Sequence, residues 1–347
     1  MHRVVLTKPD GRALWLYSLQ AMTRVEPAPS PFREPLAARS EMRWHPLRGE
    51  WVAYAAYRQD RTFLPPPEYN PLAVTRDAAE PTELPAGDWD IAVFDNRFPA
   101  LVEPDGKCEV VVFTQDPRSS LGALPVERIA LLFEVWADRA RDLAAGGRLK
   151  YMLPFENRGR EVGVTLHHPH GQIYAYPFVP PVPLRMQQEA AAYLKRKGTA
   201  VFADVIAQEL DDGRRLLYRG KHAVAFVPSC ARYPYEVWVA PLRAVGQFSE
   251  LSGEETADLA RALKTVLLKY DGLWQRPFPY LMAWYAAPMD GAPHPEWHLH
   301  AEFYPPYRTP ERLKYLAGTE LAAGMYAVDV LPEDKARELQ AVDVGQW

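Results

Sequence analysis

The alternation of apolar and polar positions divides most of the chain into two similar runs of secondary structure. In the first run, the apolar residues of 107–112 predict a strand, and a helix follows whose apolar side chains recur at helical spacing. These side chains are Ile129, Leu132, Phe133, Trp136 and Leu143. Further strands are predicted at 150–154 and 168–174. The first run therefore places one helix between strands.

The second run repeats this order. Residues 234–239 predict a strand, Ser252-Gly253-Glu254-Glu255 is a capping box that starts a helix, and strands follow at 280–284 and 297–304. We interpret the repeat as an internal duplication of a strand, strand, helix, strand, strand unit. Hairpin-connected strands with one helix per unit predict an α+β fold of two related halves, mainly antiparallel sheet with flanking helices.

Proline-rich stretches set the predicted boundaries between the parts of the chain. Residues 26–35 separate an amino-terminal arm, 1–40, from a first half at 41–178, and a second such stretch precedes a second half at 179–347. The role of the arm stays open. Segment 65–85 is predicted to be a long irregular loop, and such loops are often functional.

The composition narrows the class of protein. The chain has 347 residues, of which 48% are hydrophobic, so a sizeable core is expected. A net charge of −4 without a basic stripe argues against a nucleic-acid partner. No apolar run approaches the ~20 residues of a membrane span. Two cysteines, Cys108 and Cys230, are too few for a disulfide framework, so we expect a cytoplasmic protein and leave their pairing open.

The segment His168-Pro169-His170-Gly171-Gln172 carries the most specific chemistry. Histidines two apart on an extended stretch point to the same side, and a neutral imidazole can attack phosphorus at pH 7 without a base. We predict that His170 is the nucleophile of a covalent nucleotidyl transfer, with His168 in support. Gln172 stands where a third histidine could protonate a leaving group. The site therefore favours exchange of phosphate esters, whose leaving groups are stable anions, over hydrolysis of amidates.

The histidines and the residues around them also suggest three other classes of protein. A cupin-like metal-binding protein would use His298, His300 and Glu302, which alternate along one strand. A zinc protease would use residues 294–298, but Pro295 prevents the helix that such a site requires. A nucleotide-binding module without enzymatic activity would need no Gln172 beside a poised imidazole.

Several motifs together resemble the galactose-1-phosphate uridylyltransferase family, which lies in the histidine-triad superfamily. The resemblance covers most of the chain, roughly from Arg43 to Arg337. The matching segments are His168–Gln172, Phe155-Glu156-Asn157-Arg158-Gly159, Phe94 to Leu101, His45-Pro46-Leu47 with Arg58 and Arg61 after it, and Trp297 to Pro306. The resemblance implies two histidine-triad-like halves and exchange of UMP between UDP-glucose and galactose 1-phosphate.

The resemblance also implies roles for individual residues. His170 would become uridylylated and Gln172 would hold the transferred phosphoryl group. The implied nucleotide contacts are Arg58 and Arg61 at the phosphates, Phe94, Asn96, Arg97 and Phe98 at uridine, and Asn157, Gly163, Val164 and Thr165 along the rest of the nucleotide site. Arg97 replaces a common aspartate and Thr165 a usual serine. Lys314, Glu320 and Tyr326 would contact the hexose from the partner subunit of a homodimer.

The zinc ligands that many members of this family carry are predicted to be lost. The expected Cys-x-x-Cys pair reads Asn70-Pro71-Leu72-Ala73, the later histidine is Pro117, and His168 alone survives. One ligand cannot close a tetrahedral site. We therefore predict no cofactor here, with packing and hydrogen bonds in the 65–85 loop replacing the zinc.

Some members also bind iron between the halves, and that site is altered too. The implied ligand positions are Tyr285, His300 and Glu302, with Met186 near the position of the carboxylate. Whether a metal binds near His298, His300 and Glu302 is left open.

The implied partners are small molecules: UDP-glucose, UDP-galactose, glucose 1-phosphate and galactose 1-phosphate. Related enzymes use inorganic phosphate to release a nucleoside diphosphate from a nucleotide sugar or a dinucleoside polyphosphate, and such a phosphorylase is the alternative function. Hexose specificity and the temperature of the source are not fixed by the sequence.

Overall fold

The computed structural model describes residues 1–37, 39–60 and 69–345. The first eight strands are β1 His2–Thr7, β2 Ala13–Ser18, β3 Glu41–His45, β4 Glu50–Tyr54, β5 Ile91–Asp95, β6 Lys107–Val112, β7 Tyr151–Arg158 and β8 His170–Tyr176. The remaining strands are β9 Leu216–Arg219, β10 Ala223–Phe226, β11 Val237–Pro241, β12 Tyr280–Tyr285, β13 His300–Tyr304, β14 Tyr307–Thr309 and β15 Arg312–Leu313. The α-helices are α1 Val126–Ala144, α2 Pro181–Lys197, α3 Val201–Asp212, α4 Gly253–Leu273 and α5 Pro332–Gln340.

One large sheet dominates the described part of the chain. Its eleven strands lie in the order β1-β2-β5-β6-β8-β7-β12-β13-β11-β10-β9, and neighbouring strands are antiparallel. The predicted α+β class with mainly antiparallel sheet is confirmed.

The sheet is built from two copies of one unit. Strands β5-β6-β8-β7 of the first half correspond to β10-β11-β13-β12 of the second, and each copy has a long helix, α1 or α4, between its second and third strands in chain order. The copies join edge to edge through β7 and β12, where Phe155 lies opposite Ala283. The predicted duplication is confirmed, while the exact boundaries at 40/41 and 178/179 stay a prediction.

Helices α1 and α4 cover one face of the sheet. The predicted apolar face of α1 lies in the main core, where Phe133 and Trp136 contact Phe248 and Trp284. The predicted capping box starts α4: the Ser252 hydroxyl accepts from the Glu255 N–H, and the Glu255 carboxylate accepts from the Ser252 N–H. Because the helices cover this face, the active site is expected on the opposite face of the sheet.

Strand β8 alternates between these two faces. Ile173 and Ala175 lie in the helix-covered core, so His170 and Gln172 point to the opposite face. The strand begins at His170 rather than at the predicted residue 168. The preceding Pro169 has no N–H to donate to the ladder, which explains the later start.

The amino-terminal residues extend the sheet. Strands β1 and β2 form a hairpin, and β2 pairs with β5, where Leu14 lies opposite Phe94. Both cysteines are free thiols, Cys108 buried in β6 and Cys230 exposed. No helix in the described ranges is long and apolar enough to cross a membrane.

Candidate active site around His170

His170 is held in one tautomer by its own backbone. Its Nδ1 lies 2.7 Å from the carbonyl oxygen of His168. Because a carbonyl only accepts, Nδ1 carries the proton and Nε2 keeps its lone pair. Burial lowers the pKa of His170, against the smaller opposing effect of this hydrogen bond. The ring is therefore neutral and nucleophilic at pH 7.

His168 supports this arrangement with both ring nitrogens. Its Nε2 donates to the Thr114 carbonyl at 2.7 Å, and its Nδ1 accepts from the Asn70 side-chain amide at 3.0 Å. Burial lowers the pKa of His168, so this ring is also neutral. Asn70 thus fixes the ring of His168, whose carbonyl in turn orients His170.

The second half repeats the backbone hydrogen bonds of the two histidines, but His298 Nδ1 is buried without a partner in the described residues, whereas His168 Nδ1 is paired with Asn70. His298 Nε2 lies 2.8 Å from the Pro241 carbonyl, and His300 Nδ1 lies 2.8 Å from the His298 carbonyl. A further difference lies two residues after His300, where Glu302 replaces Gln172 and its Oε1 is 3.4 Å from His300 Nε2. This carboxylate accepts a hydrogen bond from His300 Nε2 and would repel a phosphate. The backbone hydrogen bond that orients the ring is therefore duplicated, but the surroundings suit a phosphate in the first half alone.

His170 lines two cavities. The smaller has a volume of about 150 Å³ and the larger about 380 Å³. The predicted residues that line the smaller cavity are Arg58, Phe94, Asn96, Arg97, Phe98, Thr165, His170 and Gln172. Those that line the larger are Asn157, Val164, His168 and His170. The structure thus brings most of the predicted site together, with His170 where the two cavities meet.

Polar groups in the smaller cavity form a short chain of hydrogen bonds. The Phe98 N–H donates to Asn96 Oδ1 at 2.8 Å, and Asn96 Nδ2 donates to Gln172 Oε1 at 3.4 Å. The Gln172 oxygen is thereby used, which leaves its amide nitrogen to donate to an anion. Arg58 adds a positive charge in the same cavity. These groups suit a phosphoryl group next to His170.

In the larger cavity, the Oδ1 atom of Asn157 is buried and has no hydrogen-bond partner among the described residues. A buried acceptor of this kind calls for a donor such as a hydroxyl group. Gly163 lines neither cavity; it ends the turn Arg160–Val162 with a positive φ of 80°.

Three predicted hexose contacts lie away from both cavities. Lys314 Nζ is 3.4 Å from Glu320 Oε1 and donates to the Ala327 carbonyl at 2.6 Å. Tyr326 packs 5.9 Å from the ring of Tyr233. Arg61 lies outside the described residues.

Several residues at the family's metal positions contact other protein groups. His168 has both ring nitrogens in hydrogen bonds to protein, as described above. In the second half, the Glu302 carboxylate binds Arg232 at 2.7 Å, and the Tyr285 ring stacks on His300 at 5.4 Å. The described ranges contain no group of three or more His, Cys, Asp or Glu residues that could hold a metal ion.

Sequence reasoning missed two residues that shape this site. The sequence shows Asn70 only as the replacement of an expected cysteine, and Phe32 only as part of the proline-rich stretch between the amino-terminal arm and the first half. Phe32 nevertheless lines the smaller cavity. Neither residue belongs to a local pattern, because each meets the site through a contact between distant parts of the chain.

Comparisons with known proteins show the family of this chain. The model of the galactose-1-phosphate uridyl transferase N-terminal domain matches residues 95–180, and that of the C-terminal domain matches residues 186–345. The chain is 37% identical over 325 residues to galactose-1-phosphate uridylyltransferase of Thermotoga maritima, covering 88% of this chain and 99% of the relative. The corresponding enzyme of Streptomyces lividans is 36% identical over 308 residues, covering 86% of each chain.

Solved structures give the same result. A uridylyltransferase structure superposes with a TM-score of 0.77 at 30% identity, covering 88% of this chain and 98% of the other. An ADP-glucose phosphorylase of Arabidopsis thaliana, at 22% identity and a TM-score of 0.68, covers 88% of this chain and 100% of its own and shares the fold. The chain belongs to the galactose-1-phosphate uridylyltransferase family, and it is a transferase enzyme.

Proposed function

We propose that the enzyme exchanges UMP between UDP-glucose and galactose 1-phosphate through a uridylyl group carried on His170. Nε2 attacks the α-phosphorus of UDP-glucose, a nitrogen–phosphorus bond forms, and the bond to the β-phosphate oxygen breaks to release glucose 1-phosphate. A phosphate oxygen of galactose 1-phosphate then attacks the same phosphorus, which frees His170 and gives UDP-galactose. The observation that carries this proposal is the Nδ1 hydrogen bond to the His168 carbonyl, because it leaves Nε2 as the nucleophile.

The two cavities match the two parts of the substrate. Phe94, Asn96 and Phe98 give the smaller cavity an aromatic and polar wall for uracil. Gln172 and Arg58 would stabilise the charge that develops on the phosphoryl oxygens. The larger cavity would take the sugar phosphate, with Asn157 Oδ1 accepting from a hexose hydroxyl. No proton donor is needed, since glucose 1-phosphate leaves as a stable anion in the first step and the His170 imidazole, which keeps its Nδ1 proton, leaves neutral in the second.

A mass measurement tests the intermediate. Incubated with UDP-glucose alone, the protein should gain one UMP and release one glucose 1-phosphate, and galactose 1-phosphate should then remove the UMP as UDP-galactose. Turnover without any adduct would show direct transfer between substrates. Removal of the UMP by inorganic phosphate as efficiently as by galactose 1-phosphate would instead identify a phosphorylase.

We also propose that Asn70 takes the place of a zinc ligand. Its amide donates to His168 Nδ1, the nitrogen opposite the one that binds the Thr114 carbonyl. Asn70 also anchors its own loop, because its Oδ1 accepts from the Leu72 N–H at 3.0 Å. A hydrogen bond thereby joins the loop to the support of the nucleophile.

Replacement of Asn70 by Ala should lower kcat by about 10-fold, as loss of a supporting partner of an active-site histidine does. The matched control is Thr82→Val, which removes the hydrogen bonds of its hydroxyl to the Ala73 carbonyl and the Thr75 hydroxyl in the same loop without touching His168. Its kcat should stay near that of the wild type. Steady-state kinetics and metal analysis of pure protein provide the measurements. One zinc per chain that disappears in His168→Ala would contradict the proposal.

We propose further that the active enzyme is a homodimer. Large apolar side chains are exposed on the β3–β4 hairpin and on the carboxyl-terminal segment. They are Trp44, Leu47, Trp51, Tyr54, Tyr315, Leu321 and Met325. Arg48 Nη2 donates to the Leu321 carbonyl at 3.3 Å, so the two surfaces adjoin. An exposed apolar patch of this kind is typical of an interface.

Subunit mixing tests whether Lys314 serves the partner's site. His170→Ala and Lys314→Ala are each expected to be weakly active. In a mixture of the two, half of the dimers carry one intact site, and roughly a quarter of wild-type activity should return. A lysine that acts within its own subunit would give no recovery on mixing.

A further inference from the structure

The amino-terminal segment forms a wall of the smaller cavity. Pro31 and Phe32 line this cavity together with Phe94 and Phe98. The rings of Phe32 and Phe98 meet edge to face, with centroids 6.1 Å apart and an interplanar angle of 82°. A residue of the predicted arm thus lies among those expected to contact the base.

Arg97 fixes Phe32 in this position. The Arg97 guanidinium lies 4.4 Å from the centroid of the Phe32 ring, and its Nη1 donates to the Glu34 carbonyl at 3.0 Å. The Phe32 N–H donates to the Ser30 hydroxyl at 3.0 Å, and that hydroxyl donates to Asp10 at 3.2 Å. The arginine that departs from the family's aspartate therefore contacts the amino-terminal segment.

A buried charge network lies behind this wall. Arg12 binds Asp10 through Nε at 2.7 Å and Glu83 through Nη2 at 2.8 Å, and Lys8 binds Glu83 at 2.7 Å. Arg12 also donates to the carbonyl of Asp95, the residue before Asn96, at 3.0 Å. All four charged side chains are buried. Since an unpaired charge would be costly there, the network holds the amino-terminal hairpin in one position against the cavity.

We propose that Phe32 is a specificity-determining residue that restricts the smaller cavity to a pyrimidine base. The cavity has less than half the volume of its neighbour, at about 150 Å³ against about 380 Å³, and Phe32 is one of the aromatic rings that bound it. Removal of a phenyl ring frees space comparable to the second ring of a purine. The inference rests on the proposed function, because it assigns the base of the nucleotide to this cavity.

The test compares UDP-glucose with ADP-glucose as donors to galactose 1-phosphate. Wild-type enzyme should strongly prefer UDP-glucose in kcat/KM. Phe32→Ala should shift the ratio of the two kcat/KM values toward ADP-glucose by about 10-fold or more, the scale on which pocket size discriminates substrates. The matched control is Phe178→Ala, a partly buried phenylalanine that lines neither cavity. Its ratio should equal that of the wild type.

A second variant covers the case in which Phe32→Ala does not fold. Phe32→Trp narrows the cavity, so KM for UDP-glucose should rise while kcat changes little. An unchanged ratio in Phe32→Ala, an unchanged KM in Phe32→Trp, or a wild type that uses both donors equally would each overturn the proposal. Uridylylation of the wild type by UDP-glucose is measured alongside. If the wild type gains no UMP, the proposed function itself is wrong. If it gains UMP but Phe32→Ala leaves the ratio of the two kcat/KM values unchanged, only the proposed role of Phe32 is wrong.

Discussion

The His170→Ala variant should lose uridylyl transfer by on the order of 10⁴-fold or more and should gain no UMP from UDP-glucose. Removal of a nucleophile in a covalent mechanism leaves only substrate binding and charge stabilisation, which account for a small part of the rate. His168 also lines one of these cavities, but both of its ring nitrogens are in hydrogen bonds to protein, so it cannot replace His170 as the nucleophile. The measurements are an initial-rate assay and the mass of the protein after incubation with donor.

The internal duplication offers a matched control for this loss. His300 has the same backbone hydrogen bond from Nδ1 and the same position at the start of its strand. His300→Ala therefore removes an equivalent ring and leaves the first half untouched. This variant should still gain one UMP. An adduct in His170→Ala, or its loss in His300→Ala alone, would show that the wrong half has been assigned the chemistry.

The fold was predictable where the signal was local. The apolar face of α1, the capping box of α4 and the four strands that flank these helices in the two repeats all depend on neighbouring residues. The predicted strand at 297–304 begins only at His300, because the Leu299 N–H donates to the Val245 carbonyl and does not join the ladder. The predicted end of a strand is therefore wrong where a distant backbone group takes the hydrogen bond that would have extended the strand.

The site was predictable in its nucleophile and less so in its supports. Alternation along one strand places His170 and Gln172 on the same face, which a sequence shows directly. The contact between Asn70 and His168, and that between Phe32 and Arg97, join segments far apart in the chain. No spacing rule predicts such contacts. They follow only once the fold brings the segment after β2 beside Arg97 and brings Asn70 beside His168.

A comparison of the two halves gives the second large prediction, for Gln172→Glu. The substitution keeps the shape of the side chain and gives the first half the His-x-His-x-Glu sequence that the second half already has at residues 298–302. Asn96 could still donate to the new side chain, but a carboxylate would replace the amide donor next to the phosphoryl group. We expect uridylylation to slow by more than about 10³-fold, because loss of one donor to developing negative charge costs about 10²–10³-fold and the new carboxylate adds repulsion. Single-turnover measurements with UDP-glucose would record this rate.

Gln172→Met separates the charge from the hydrogen bond. Methionine is of similar length and neutral, so it removes the donor without introducing an anion, and we expect a smaller loss of about 10²-fold. Equal rates for the Glu and Met variants would show that repulsion is not the cause. In that case the Glu302 carboxylate would not explain why His300, with the same backbone contact, is unsuited to attack a phosphate. A slower Glu variant would instead indicate that one amide at position 172 distinguishes the catalytic half from its copy.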